Sequence, residues 1–309
     1  MSEIMASQLW DVFTGGGEGM EKVAGLTEDY LRDRIRETCV LNRCIPPIVL
    51  TEAQIDTNTQ NDFPLKRVWL EPDSKAFTLG FRGRGSAQFV EGRKYEVWFT
   101  KLETEHYKKT QEELMTMKFP LIDVVNNNFV FDLQEQADFL FKARLDAAAA
   151  AQTSTNIIPA GAGTVKGVFK DAVIAGVRAV LGRRRRTARL IMTESTWLNL
   201  AKLEPDKIGY NLVGEIAITG VAAQKTFLGY EVITTINASN SAITSVWPDD
   251  YIYCVAVPEF LGSNFMLRDV QQEMDRKGNM LEWYSWTNQG MEVGNVSSVS
   301  KITGIASLT

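Results

Sequence analysis

The sequence predicts an α+β protein made of unlike parts in series: an N-terminal arm, a projecting β-hairpin, one long helix, and an α/β region followed by further strands. Three observations carry this. Period-two alternation flanks a glycine-rich tip between Lys66 and Leu102. Apolar residues recur at three- and four-residue spacing from Leu133 to Leu145. Helical and strand patterns then alternate beyond Gly161. The two periods are those of a half-buried strand and an amphipathic helix.

Residues 1–62 read as the arm. Gly15-Gly16-Gly17 breaks its first segment. Thr27 N-caps a short helix, with Glu28 and Asp29 in the first turn, where they complement the helix dipole. Cys39 and Cys44 fall near a helix end and read as small buried hydrophobes. Pro46-Pro47 stops the helical pattern, Ile48–Leu50 is a short extended run, and 51–62 is a polar linker.

The hairpin spans 63–103. Phe77, Leu79 and Phe81 alternate on the outgoing arm, and Tyr95, Val97 and Phe99 on the return. Gly80, Gly83 and Gly85 supply the positive φ that a reversal needs. Arms of ~15 residues would reach ~50 Å at ~3.3 Å per residue. Pro72-Asp73 bends the outgoing arm or puts it at an edge. A two-stranded ribbon is marginal in water alone, and the chain offers no evident surface to cover it. A neighbouring copy is therefore the expected support. Trp69, Phe77, Leu79, Phe81, Phe89 and Trp98 are the expected apolar contacts, and Arg82 and Arg84 the expected charged contacts at the tip.

Next, Thr110 and Glu113 have capping-box spacing and open a helix. Pro120 ends or kinks it, and Asn126-Asn127-Asn128 reads as a turn. Asp132 and Glu135 repeat the capping-box spacing, so a second helix of ~20 residues is expected from Asp132 to Ala151, ~30 Å long. Its stripe is Leu133, Ala137, Leu140, Phe141 and Leu145; Glu135, Asp138, Lys142 and Asp146 lie off it. Residues 152–163 form a flexible join. A helix is expected over 165–181, a strand over 188–192, and a Thr193-capped helix to Leu203. Further strands are expected near 215–219, 226–235 and 251–257. Short strands follow at 265–267, 281–286, 291–293 and 299–302.

Composition narrows the function. The chain has 309 residues, 45% of them hydrophobic, enough for two modest domains with real cores. A net charge of −5 argues against a dedicated nucleic-acid binder. The N-terminus lacks a basic-then-apolar secretory pattern, and no window approaches the ~18 apolar residues of a membrane span. A soluble protein made in the cytoplasm is expected. Three cysteines without CxxC spacing suggest reduced thiols. The single histidine, His106, lies in a charged stretch and reads as a surface residue. Any Ser-His-Asp or Cys-His triad would have to use it. Neither Gly-x-Gly has a dinucleotide-binding context, and no Walker-type loop is present. No catalytic residue, metal site or cofactor is expected, although an enzyme with a dispersed acidic site stays open as an alternative. Arg183-Arg184-Arg185-Arg186 reads in three ways: a solvated cap at a helix C-terminus, an intersubunit salt-bridging element, or a phosphate contact.

The order of parts resembles the major capsid protein of tailed bacteriophages, with the Hong Kong 97-type fold. Lys94–Phe99 followed by Thr110–Leu114 resembles the return arm of the family's extended loop entering its peripheral domain. Asp132–Asp146 resembles the spine helix. Leu190–Leu203 is similar to the axial-domain strand and helix, and Phe227–Ile233 to the L-x-G-x-x-V strand that follows. The likeness spans about 30–309. It implies an arm at 1–62, an extended loop at 63–103, a peripheral domain at 104–160 and 260–293, and an axial domain at 161–259 and 294–309. It further implies hexamers and pentamers closing an icosahedral shell around double-stranded DNA that is enclosed but not specifically bound. Portal, scaffolding or decoration proteins would be partners, with no membrane, and the chain would be a virion component made in the host cytoplasm. Little room is left ahead of the arm for a long scaffolding segment, so a separate scaffolding protein, or none, is expected. Some family members crosslink a loop lysine to an asparagine. Lys75 lies in the ribbon here, but no local motif marks its partner, and that chemistry is not carried over. An encapsulin-type shell with an enzyme cargo resembles the same fold and is the near alternative.

Overall fold

The structure is a computed structural model that describes residues 39–58, 61–72, 76, 78, 79, 81, 89, 92–116, 121–151, 156–159, 169–198, 226–235, 246–249 and 251–305. In chain order the elements are α1 (Val40–Cys44), β1 (Ile48–Val49), β2 (Asp56–Thr57), β3 (Pro64–Leu70), β4 (Arg93–Trp98), β5 (Thr100–Glu103), β6 (Tyr107–Thr110), α2 (Gln111–Thr116), α3 (Leu121–Ala151), β7 (Ile157–Pro159), α4 (Phe169–Leu181), β8 (Thr187–Thr193), α5 (Glu194–Leu198), β9 (Thr226–Phe227), β10 (Tyr230–Thr235), β11 (Tyr251–Ala256), α6 (Pro258–Leu261), β12 (Ser263–Lys277), β13 (Met280–Glu292) and β14 (Val299–Thr303). The Thr27 helix, the residue 152–155 and 160–163 parts of the join, and the strand expected at 215–219 lie outside the described residues.

Helix α3 organises the rest. The turn expected at Asn126–Asn128 and the cap expected at Asp132 are absent: the helix runs unbroken for 31 residues, ~46 Å. Asparagine costs well under ~1 kcal/mol relative to alanine inside a helix. Packing outweighs that cost, because Val125 and Phe129 meet Leu281 and Trp283 in a small core of their own. Further along, Leu133, Ala137, Phe141 and Leu145 are buried as their spacing predicts. The capping box at Thr110 is also present: the Thr110 amide donates to Glu113 Oε2 at 3.0 Å, and the Glu113 amide to Thr110 Oγ1 at 3.3 Å.

Two carboxylates of α3 that were expected off the apolar stripe instead serve the interior. Asp138 is buried and accepts the Val40 and Leu41 amides at 2.9 and 2.8 Å and the Cys39 thiol at 3.2 Å. It thus satisfies the open N-terminus of α1 from 97–99 residues away. Burial raises its pKa against these hydrogen bonds. Asp146 accepts the Tyr253 hydroxyl and the Lys301 ammonium, each at 2.8 Å. Cys39 and Cys44 are buried, as their setting suggests, and desolvation pushes both thiols up.

One sheet runs in the order β7-β14-β11-β8-β10-β9, with β8 and β10 parallel and β11 antiparallel to β8. Alternation along its strands divides two cores. Ile191, Ile233, Tyr253, Val255 and Val299 face α3 and α1. Leu190, Met192, Val232, Ile252, Cys254 and Ile302 face α4, Trp197 and Phe227. Thr193 caps α5, accepting the Thr196 amide at 3.3 Å. The strand expected over 226–235 is a tight hairpin instead. Phe227 pairs with Tyr230, and Leu228 and Gly229 both take positive φ, 51° and 84°. That is the geometry of a type I′ turn, which glycine adopts without a Cβ penalty.

The late strands are longer and fewer than their apolar runs suggest. β12 and β13, of 15 and 13 residues, form one hairpin through a Gly278-Asn279 turn. β13 also pairs with β5 and β6, and β12 pairs in parallel with β1. Residues 268–277 are mostly exposed, so no apolar alternation marks them as strand. Their backbone pairing with β13 is what orders them. Its residues Leu281, Trp283, Ser285 and Thr287 form the buried face.

Candidate assembly surfaces

The ribbon base is a small sheet of β2, β3 and β4. Leu65–Leu70 pairs antiparallel with Arg93–Trp98. Among the described residues the ladder covers these six pairs, and Leu79, Phe81 and Phe89 lie outside it; Phe77, Arg82 and Arg84, and with them much of the ~15-residue arms expected, lie outside the described residues. Strand β3 stops at Leu70, just before Pro72.

The two faces of the base differ. Val68, Tyr95 and Val97 pack with Phe99, Ile55, Leu50 and Phe265. The chain therefore covers this face itself, contrary to the expectation that no surface was available. Tyr95 Oη lies 2.8 Å from Ser263 Oγ. A Cβ at Gly294 would come within 2.6 Å of the Tyr95 ring, so only glycine allows this close approach. The opposite face carries Arg67 paired with Glu96 at 3.2 Å and Lys94 Nζ 3.7 Å from the Trp69 ring centroid. Cross-strand pairs of this kind hold register. This face still leaves Trp69 64% and Trp98 41% exposed, and beyond the ladder Phe81 and Phe89 are wholly exposed. Among the described residues, aromatic exposure is thus concentrated on this one element.

The four arginines form the turn from α4 to β8, at the sheet end that also carries the Leu228-Gly229 turn. The Arg184 amide donates to Leu181 O at 2.8 Å and the Arg185 amide to Val180 O at 3.4 Å. With Arg184 at φ 59°, this is a Schellman closure. Arg183 Nη1 reaches Ser297 O at 3.5 Å, and burial lowers its pKa. Arg185 stacks its guanidinium 5.4 Å from the Phe260 ring centroid. Arg184 and Arg186 are exposed. The helix-end reading thus describes the backbone, and the structure brings these arginines together with neither Trp69 nor Trp98. Leu181 and Leu228, which share the depression beside the arginines, were not singled out by sequence. The Leu228-Gly229 dipeptide between two apolar runs was the available signal.

His106 is half-exposed and braces β5 and β6 against β13. Its Nε2 lies 2.8 Å from Glu103 Oε1 and its Nδ1 2.8 Å from Glu282 Oε1, with the ring stacked 4.1 Å from Tyr284. Hydrogen bonds to Glu103 and Glu282 raise its pKa. The His106 contact, with Lys277 and Lys108, holds Glu282 down to about 2. The raised imidazole pKa contributes stability fully below about pH 6.5, lost as pH climbs through the folded value. The depressed Glu282 contributes above about pH 4.5 and loses this as pH falls toward 2. His106→Gln is expected to flatten the decline in melting temperature between about pH 6 and 8. Identical pH profiles for both chains would remove this role.

No family model matches the chain, and no curated protein matches it. Solved structures do. One from Mycobacterium phage Ogopogo is 13% identical, covering 91% of this chain and 98% of its own at a TM-score of 0.61. The capsid of a native GTA particle is 15% identical, with coverages of 93% and 97% and a TM-score of 0.59. The capsid structure of Cyanophage P-SCSP1u is 10% identical, with coverages of 94% and 95% and a TM-score of 0.62. Across nearly its whole length the chain has the α+β fold of phage capsid structures.

Proposed function

We propose that this chain is the major capsid subunit of a tailed phage, closing as hexamers and pentamers into an icosahedral shell around double-stranded DNA. The observation that carries this reading is a shared fold over nine-tenths of both chains, joined to a ribbon whose outer aromatic face the chain leaves open. In this reading the sheet containing β8 and β10 is the axial part, α3 with the β12–β13 hairpin the peripheral part, and the ribbon lies over a neighbouring subunit. Each part carries a core of its own, α4 against one face of the six-stranded sheet and α3 against β13, and the two parts meet where α3 packs on the sheet's other face. Net charge −5 suits a container that must not clamp its genome. The role is structural rather than enzymatic, as a virion component. Portal, scaffolding or decoration proteins are further partners the same reading calls for.

Negative-stain microscopy of the purified chain across a concentration series tests this. Closed shells or rings are expected, with DNA rather than an enzyme cargo recovered from particles made in cells. A chain that stays monomeric at every concentration would sink the proposal.

A further inference from the structure

Resting on the shell reading, we infer that the Arg183–Arg186 turn is a docking site for a carboxylate-bearing surface of a second copy of this chain. Four adjacent cations occupy one turn, and among the described residues none has an ion-pair partner. The neighbouring acid on the same sheet, Glu231, is already held by Arg189 at 2.7 Å and Arg43 at 3.2 Å. Arg183 Nη2 and Arg185 Nε are shielded from solvent and find no acceptor among the described residues. Charges left uncompensated in a partly desolvated site favour an anion supplied from outside.

The backbone supports the same conclusion. Arg184 occupies the left-handed position of the helix closure, where glycine is the low-cost residue. Stability alone favours glycine there, so the side chain has another use. Arg184, Arg185 and Arg186 border a depression of about 530 Å³ whose other walls are Leu181, Leu228, Gly229 and Tyr230. Both leucines are nearly half exposed.

Exposed leucines beside exposed arginines fit a protein surface of mixed acidic and apolar character better than a phosphate backbone. The excess of acidic over basic side chains, 38 against 33, with four of the basic ones gathered in this turn, makes a second copy the occupant we infer. The turn is at the sheet end next to α6, opposite the end that carries Thr193.

The test compares full-length wild type with Arg184→Glu/Arg186→Glu by light scattering against protein concentration, with circular dichroism melts as the folding control. The double variant is expected to melt as wild type and to need about tenfold more protein to assemble, a gap that narrows at high salt. Arg184→Lys/Arg186→Lys should stay close to wild type. Arg184→Gly should melt a few degrees higher and assemble less well. Should the double variant not fold, Arg186→Glu alone carries the test. Equal assembly of wild type and charge-reversed chains overturns the docking site and leaves the shell reading standing. A wild type that never assembles overturns both. Wild-type chain that retards a short DNA duplex, with the variant losing that while assembling normally, makes phosphate the occupant and overturns it too.

Discussion

A chain carrying Leu79→Ser, Phe81→Ser and Phe89→Ser folds like the wild type and does not close into shells. In the isolated subunit these side chains have little to lose: Phe81 and Phe89 are wholly exposed and Leu79 is half exposed. Their apolar area becomes useful only when another surface covers it, at about 1.5–3 kcal/mol for each side chain fully buried. Shells repeat the contact at every subunit, so a loss of several kcal/mol per copy moves assembly beyond attainable concentrations. Melting temperature and negative-stain images of the same preparation provide the two readouts. Normal shells from the triple variant would remove the ribbon from the interface, and a depressed melting temperature would mean that its tip packs on its own subunit.

Phe141→Asp has the opposite signature: the soluble folded chain is lost. Phe141 is fully buried where α3 meets the sheet, edge-on to Trp247 at 6.4 Å, and Trp247 in turn is edge-on to Tyr253 at 5.7 Å. Truncating such a phenylalanine to alanine costs about 3–5 kcal/mol. A carboxylate adds the cost of an unpaired buried charge or of its protonation. Against a total stability of about 5–15 kcal/mol, that is decisive. Cooperative thermal unfolding of a soluble Phe141→Asp chain would contradict the placement of α3 in the core.

These two positions also indicate what could be read from sequence. The stripe on α3 and the alternation at Tyr95–Val97 were legible because each pattern repeats within one element, with its buried face written in neighbouring residues. Partners distant in sequence were not. Asp138 looks like an ordinary polar position until α1 is placed on it. Residues 268–277 have no apolar face, and only pairing with β13 makes them strand. Asn126–Asn128 carries turn residues inside a helix because Val125 and Phe129 are held by Leu281 and Trp283. At the arginine turn, the only glycine, Gly182, is two residues ahead of the left-handed position, which belongs to Arg184. The exposed aromatics of the ribbon were legible as a group. The chemistry around them, Lys94 on Trp69 and Arg67 on Glu96, required the strand register.

The parallel pairing of Ile48 with Phe265 sets a schedule for biosynthesis. At ribosomal speeds of about 5–20 residues per second, β1 waits roughly 10–40 s for its partner to be translated. During that interval Ile48, Val49 and Leu50 stay available to chaperones and to other nascent chains. Polysomes that crowd many identical polypeptides together should therefore be where the yield of native subunits is decided.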